Sequence, residues 1–210
     1  MTAQQIFLLV INVLVGFFCG SIMFCALIPR LWKKVDIREI SADGNPGTAN
    51  VFKYCGWQCG LVSACCDFAK GCFPVIAGNI LLGDDIGAPF ALIIAAPVLG
   101  HMFSIFSHGN GGMGIASLIG TIIAVFFASR LLLIIAGIYL ITQFLLKFPT
   151  RKQKTTFVFL LFLLAVLLLE PDPLYKWTYT VMTCLVLFQI FRASLRVKLR
   201  AGLRLEPDRD

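Results

Sequence analysis

Asp67 and Lys70 stand three residues apart inside the otherwise apolar stretch 57–82. On a helix that spacing puts both on one face, and charges in apolar surroundings are costly unless they pair or face water. They read either as functional charges or as an ion pair locking helices together. A second group is Gly44-Asn45-Pro46-Gly47-Thr48-Ala49-Asn50, with Arg38 and Lys53 on either side. Its converging backbone N–H groups, two side-chain amides and one hydroxyl suit a phosphate, although a Gly/Pro turn between helices has the same composition. The third is Gly100-His101-Met102-Phe103 running on to Ser107-His108-Gly109-Asn110-Gly111-Gly112-Met113-Gly114. Glycines there allow backbone to approach an anion at a helix start; a tight turn beside a buried structural histidine is the plainer alternative.

The elements that must carry these groups are dictated by composition. Of 210 residues, 59% are hydrophobic and only 14% charged, and the mean hydropathy is +0.88. Such a chain is not an ordinary soluble protein, and its repeated long apolar runs suit a hydrocarbon core of about 30 Å. A spanning segment must satisfy its backbone polar groups internally, and the period-two alternation of a membrane barrel is absent. The sequence therefore predicts an all-α integral membrane protein, a bundle of seven transmembrane helices over 5–29, 57–82, 89–106, 115–129, 131–147, 155–169 and 177–191. The start, MTAQQIFLLV, has no positively charged segment and leads into an apolar stretch too long for a cleavable signal, so it is kept as a span.

A net charge of +7 could suggest nucleic acid, but in a membrane chain cations first report topology. With the first loop inside, 15 of the 18 Lys and Arg fall on inner segments. Arg130 and Lys176 lie outside, and Lys70 lies within a span. That predicts an outer N-terminus and a cytoplasmic C-terminus, with a membrane domain over 1–192 and a basic cytoplasmic tail over 193–210. The inner cations favour anionic lipid head groups, and no nucleic acid is needed to explain them. All three polar groups then face the same inner side and can build one site. The eight cysteines fall mostly within spans and show no zinc-like spacing, so they read as small thiols packed between helices. No GxSxG, HExxH, Walker or His-x4-Asp pattern occurs, and neither a metal nor a cofactor is expected.

Taken in order, Gly20-Ser21-Ile22, Asp36-Ile37-Arg38-Glu39-Ile40 with the 44–50 segment, Asp67-x-x-Lys70-Gly71-x-x-Pro74, and Gly100-His101-x-Phe103 with Gly111-Gly112-x-Gly114 resemble the bacterial acyl-phosphate:glycerol-3-phosphate acyltransferase family, PlsY. The resemblance covers roughly the first 120 residues. It implies a seven-helix enzyme of the bacterial inner membrane with its site facing the cytoplasm. Such an enzyme moves a fatty acyl group from acyl phosphate to the 1-hydroxyl of glycerol 3-phosphate, giving lysophosphatidic acid and phosphate for phospholipid synthesis. Carried onto this chain, it implies catalytic roles for Asn50, Lys70, Asp67 and His101. Substrate phosphate would be held by Arg38, Asn45, Gly47, Thr48, Gly111, Gly112 and Gly114.

The chain departs from the family pattern in places. Met113 stands where relatives usually carry lysine in the third glycine motif, and Phe191 takes the place of a C-terminal histidine, in Phe191-Arg192-Ala193-Ser194. Thr150-Arg151-Lys152-Gln153-Lys154-Thr155 replaces a serine-containing segment, and the first loop is longer by one residue at Ser41-Ala42-Asp43. Two other readings follow from these departures: a non-catalytic member that binds phospholipid or a partner, and an acyltransferase with a different phosphorylated acceptor.

Overall fold

A computed structural model describes residues 1–83 and 86–203, except for the side chains of Arg196 and residues 198–203. Every regular element among the described residues is a helix, and none is a strand. Helix α1 (Ala3–Ser21) opens on a capping box: Thr2 accepts from the Gln5 N–H while the Gln5 side chain accepts from the Thr2 N–H. It stops at Ser21, Ile22 is extended, and α2 (Phe24–Lys33) begins after Met23. The span expected at 5–29 is thus two helices. The break is stabilised by tertiary partners for the carbonyls it frees: Ser104 Oγ donates to Ser21 O at 2.6 Å and Lys70 Nζ to Ile22 O at 2.5 Å.

What reads as one inner loop contains α3 (Ile37–Ile40), capped by Asp36, and α4 (Thr48–Cys55). Gly56, at a φ of +85°, then turns the chain into α5 (Trp57–Leu82), which coincides with the expected second span. α6 (Phe90–Met102) leads to a single 3-10 turn, Ile105–Ser107, and together they fill the third. α7 (Ile115–Ala124) has only 10 residues where 115–129 was expected, because the chain turns at Val125 although it stays apolar. α8 (Leu131–Leu145) follows. α9 (Arg151–Leu169) starts four residues ahead of the expected 155, since Thr150 caps it by accepting from the Gln153 N–H. α10 (Pro173–Leu203) runs unbroken through the expected boundary between 192 and 193. The end of the expected basic tail, with Arg204 and Arg209, lies outside the described residues.

Among the described residues, five helices are long and apolar enough to cross a membrane: α1, α5, α6 with its 3-10 extension, α9 and α10. α7 and α8 are apolar but shorter. Small residues set the closest contacts. A Cβ added at Gly20 would lie 2.2 Å from Pro97 O and one at Gly100 2.2 Å from Phe17 O, so α1 and α6 meet backbone to backbone. The same holds for α5 and α7, where Gly71 faces Ser117 O and Gly120 faces Phe68 O, again at 2.2 Å. Lipid offers no hydrophobic drive for helices to associate, so such close van der Waals contact is what holds them. Ile93, Ile94, Val98, Leu118, Ile122, Phe162 and Tyr179 form the buried centre, while Phe7, Phe144 and Leu168 point outward, as lipid-facing side chains do. Of the eight free cysteines, Cys25 and Cys59 are buried as expected, whereas Cys65 and Cys184 are exposed on helix faces.

Candidate phosphate-binding site

The first glycine segment is folded on itself. Asp43 Oδ1 accepts from the Asn45 N–H at 3.2 Å and from Asn50 Nδ2 at 2.8 Å, and Asn50 Nδ2 also donates to Asn45 O at 2.8 Å. Asn50 therefore fixes the loop rather than offering its amide outward. Gly47 lies against the Asn45 side chain: a Cβ there would come within 2.6 Å of Nδ2, which would have to swing aside. It precedes α4, whose first turn has no side-chain cap, so that helix start remains suited to an external anion. Thr48 Oγ1 lies 3.4 Å from Cys25 Sγ, which ties α4 to α2.

The third glycine segment rests on His101. The Gly112 N–H donates to His101 O at 3.1 Å. A Cβ on Gly111 would come within 1.9 Å of that oxygen, and one on Gly112 within 2.4 Å of His101 Nε2. The imidazole is 3% exposed and its Nδ1 lies 3.3 Å from Ser117 Oγ, so it supports the loop from behind. Gly114, at a φ of +80°, forms the entry to α7, again without a side-chain cap.

Arg38, on α3 ahead of the first segment, reaches the approach to the third: its Nη2 donates to Ser107 Oγ at 2.7 Å and to Asn110 O at 3.2 Å. Between the two segments opens a cleft lined by Asp43, Gly44 and Asn45 on one side, Gly111, Gly112 and Met113 on the other, and Gln189 and Ala193 of α10. Segments 44–50 and 111–114 are thus brought together. Asp67 and Lys70 do not line the cleft; they are paired at 2.8 Å with side chains 1% and 2% exposed. The ammonium also bonds Ile22 O and lies 5.8 Å from the Phe24 ring, so the pair ties α5 to the break between α1 and α2. Cys25 stands between this pair and Thr48, within electrostatic reach of both charges.

Two lining side chains were not anticipated. Asp43 is the one ionisable group among the described lining residues, and Gln189 is a buried amide on α10. A polar residue inside an apolar span was the signal that singled out Asp67 and Lys70, and it applies equally to Gln189 in 177–191. Phe191 is 61% exposed; residues 189 and 193, four apart, form the face that meets the cleft. Of the residues expected to hold phosphate, Asn45, Gly111 and Gly112 line the cleft, whereas Arg38, Gly47, Thr48 and Gly114 do not; the uncapped starts of α4 and α7 are chemically suited to an oxyanion. None of the described lining residues supplies a nucleophile or a histidine base. Such a cleft suits a substrate that arrives already activated.

A family profile described as glycerol-3-phosphate acyltransferase matches residues 10–200. A glycerol-3-phosphate acyltransferase of Legionella pneumophila (strain Corby) is 35% identical over 120 residues, which is 57% of this chain and 42% of that protein. One from Thermotoga petrophila is 38% identical over 109 residues, covering 52% and 54%. One from Chlorobium phaeobacteroides is 31% identical over 151 residues, covering 68% and 63%. The matched part of this chain thus spans less than two-thirds of each relative. Among solved structures, the glycerol 3-phosphate form of PlsY, an integral membrane glycerol 3-phosphate acyltransferase, superposes with a TM-score of 0.75 at 24% identity over 94% of this chain and 93% of that one. Its lysophosphatidic acid form gives 0.74 at 23%, covering 92% of each. With a membrane fold shared along nearly its whole length and a family profile matched from residue 10 to residue 200, this chain belongs to the glycerol-3-phosphate acyltransferase family.

Proposed function

We propose that the chain is a membrane acyltransferase that moves a fatty acyl group from acyl phosphate to the 1-hydroxyl of glycerol 3-phosphate. The observation that carries this reading is the convergence of the first and third glycine segments on one cleft. PlsY, whose fold this chain shares, is known in forms with glycerol 3-phosphate and with lysophosphatidic acid, the acceptor and product of that reaction. In the step itself the hydroxyl oxygen attacks the acyl carbon, and the carbon–oxygen bond to phosphate breaks with its electron pair leaving on phosphate. The hydroxyl proton also ends on phosphate. Acyl phosphate is a mixed anhydride, so the protein needs to supply position and charge stabilisation more than a strong base.

In this reading Asn45, Gly47, Thr48, Gly111, Gly112 and Gly114 hold phosphate together with Arg38. Asn50 shapes the first loop, His101 supports the third, and Lys70 with Asp67 keeps a positive charge close to the α1–α2 break. All seven apolar helices would enter the bilayer of a bacterial inner membrane, with the N-terminus outside and the cleft and basic tail from residue 193 on the cytoplasmic side. The distribution of cations supports that orientation. The acyl chain would lie among the surrounding membrane lipids.

The test follows phosphate release from acyl phosphate by purified protein in lipid, with and without glycerol 3-phosphate. Asn50→Ala, which removes both loop-closing bonds, is expected to lower turnover at least about tenfold. Met113→Lys is expected to lower the KM for a phosphorylated substrate about tenfold by placing a cation on the cleft wall. Wild-type turnover equal to the Asn50→Ala background would reject catalysis on this substrate pair. Asp43 and the uncharged Met113 in the cleft favour one alternative, a different phosphorylated acceptor. Faster turnover with another phosphorylated alcohol would select it.

A further inference from the structure

We infer that Gln189 is a substrate-binding residue of this cleft, its carboxamide donating hydrogen bonds to an oxygen of the phosphorylated acceptor. The inference rests on the reading above and names a side chain that the glycine segments do not include. Gln189 is 8% exposed, it lines the cleft, and its Nε2 has no hydrogen-bond partner. Burying an amide N–H without an acceptor is costly, so a donor kept at such a position points to an acceptor that arrives with a ligand.

The surroundings select the ligand's chemistry. Asp43 Oδ1 across the cleft is already committed to Asn45 and Asn50, Met113 is apolar, and Ala193 one turn along α10 leaves room beside the amide. A group with acceptor oxygens fits between them, and a neutral donor avoids adding a second carboxylate next to Asp43. Phe191 is turned outward, so on this part of α10 the polar group presented to the cleft is Gln189. Thr183, on the same helix, also has an unpartnered buried hydroxyl but does not line the cleft, which makes it an internal control.

The experiment compares wild type, Gln189→Leu, Gln189→Glu and Thr183→Val, each as the full chain in detergent or lipid. Turnover is measured while acyl phosphate and glycerol 3-phosphate are varied separately, and equilibrium binding of glycerol 3-phosphate is measured alongside. Gln189→Leu should raise the KM and Kd for glycerol 3-phosphate about tenfold and leave the KM for acyl phosphate within about twofold. Gln189→Glu should weaken the acceptor further, because it places a carboxylate beside both Asp43 and the phosphate. Thr183→Val should move neither constant. An active wild type with an unchanged acceptor KM in both Gln189 variants would overturn the inference and leave the acyltransferase reading standing. Wild type that binds glycerol 3-phosphate without turnover would remove that reading, and the ratio of Kd values would then decide the role of Gln189. Wild type that neither turns over nor binds would overturn both.

Discussion

The two sides of this bundle are held by different means. Where α1 meets α6 and α5 meets α7, glycine brings backbone onto backbone at Gly20, Gly100, Gly71 and Gly120. Where α9 meets α10, side chains fill the space: Phe159, Phe162 and Val166 against Tyr179, Met182 and Val186. The glycine side cannot give way, whereas a side-chain interface can repack around a change of volume. Both glycine segments of the cleft spring from the rigid side, one leading through α4 into α5 and the other joining α6 to α7. A site that must hold small groups in register hangs on the contacts with least slack, and α8 and α9 complete the bundle in contact with lipid.

The sharpest way to break this contrast is to add volume on each side. Gly71→Leu and Gly120→Leu would drive a side chain into a carbonyl 2.2 Å from the first added carbon. Each is expected to cost about 3 kcal/mol, the largest loss of the set. Gly137→Ala on α8 meets no heavy atom within 4 Å and should be neutral or stabilise slightly, by up to about 1 kcal/mol. Phe162→Leu on α9 should cost an intermediate amount, about 1–2 kcal/mol, because its neighbours can close around the smaller ring space. Thermal unfolding in one detergent ranks all four. Equal losses at Gly71 and Gly137 would contradict the division into a rigid and a yielding side.

The Asp67–Lys70 pair sharpens it next. The pair is buried on the rigid side and joins α5 to the α1–α2 break. Removing one partner leaves a buried charge without its counter-ion, so Asp67→Asn and Lys70→Met are each expected to destabilise by about 3–5 kcal/mol. The double variant should lose much less than the sum of the two. A double-mutant cycle on unfolding free energies measures this coupling, and additive losses would show that the two charges act separately.

How far these features could be read beforehand depends on what pattern carries them. Hydropathy locates α5 to the residue, because its ends at Gly56 and Gly83 coincide with changes of composition. It joins α1 to α2, since the apolar run continues across Ile22 and Met23. The break there depends on Lys70 and Ser104 reaching the freed carbonyls from other helices, and a local window does not contain them. It also lengthens α7, whose turn at Val125 is made of residues as apolar as the helix. In the cleft, spacing and residue type mark the glycine segments, because a close backbone approach selects glycine. The partner of Asn50 does not show in the same way: Asp43 closes the loop by geometry. Gln189 becomes a lining residue only once α10 is packed beside residues 111–113.

The smallest effect belongs at the far end of the yielding side. There Ser129 Oγ donates to Glu170 Oε2 at 2.5 Å and accepts from the Leu131 N–H at 3.3 Å. Glu170 Oε1 accepts from the Asp172 N–H at 3.2 Å, so one buried carboxylate joins the start of α8 to the turn between α9 and α10. Pro173 and Gln189 lie 16 positions apart on α10, which at about 1.5 Å per residue puts this knot roughly 24 Å from the cleft. Ser129→Ala removes the hydroxyl and leaves one carboxylate oxygen without its donor, an expected loss of about 1–2 kcal/mol. If the two sides are mechanically separate, that loss appears in the unfolding temperature, and the KM for glycerol 3-phosphate stays within about twofold of wild type. A KM that rises in step with the lost stability would mean that the packing of α8 and α9 is transmitted to the cleft, and that the glycine contacts alone do not hold it in place.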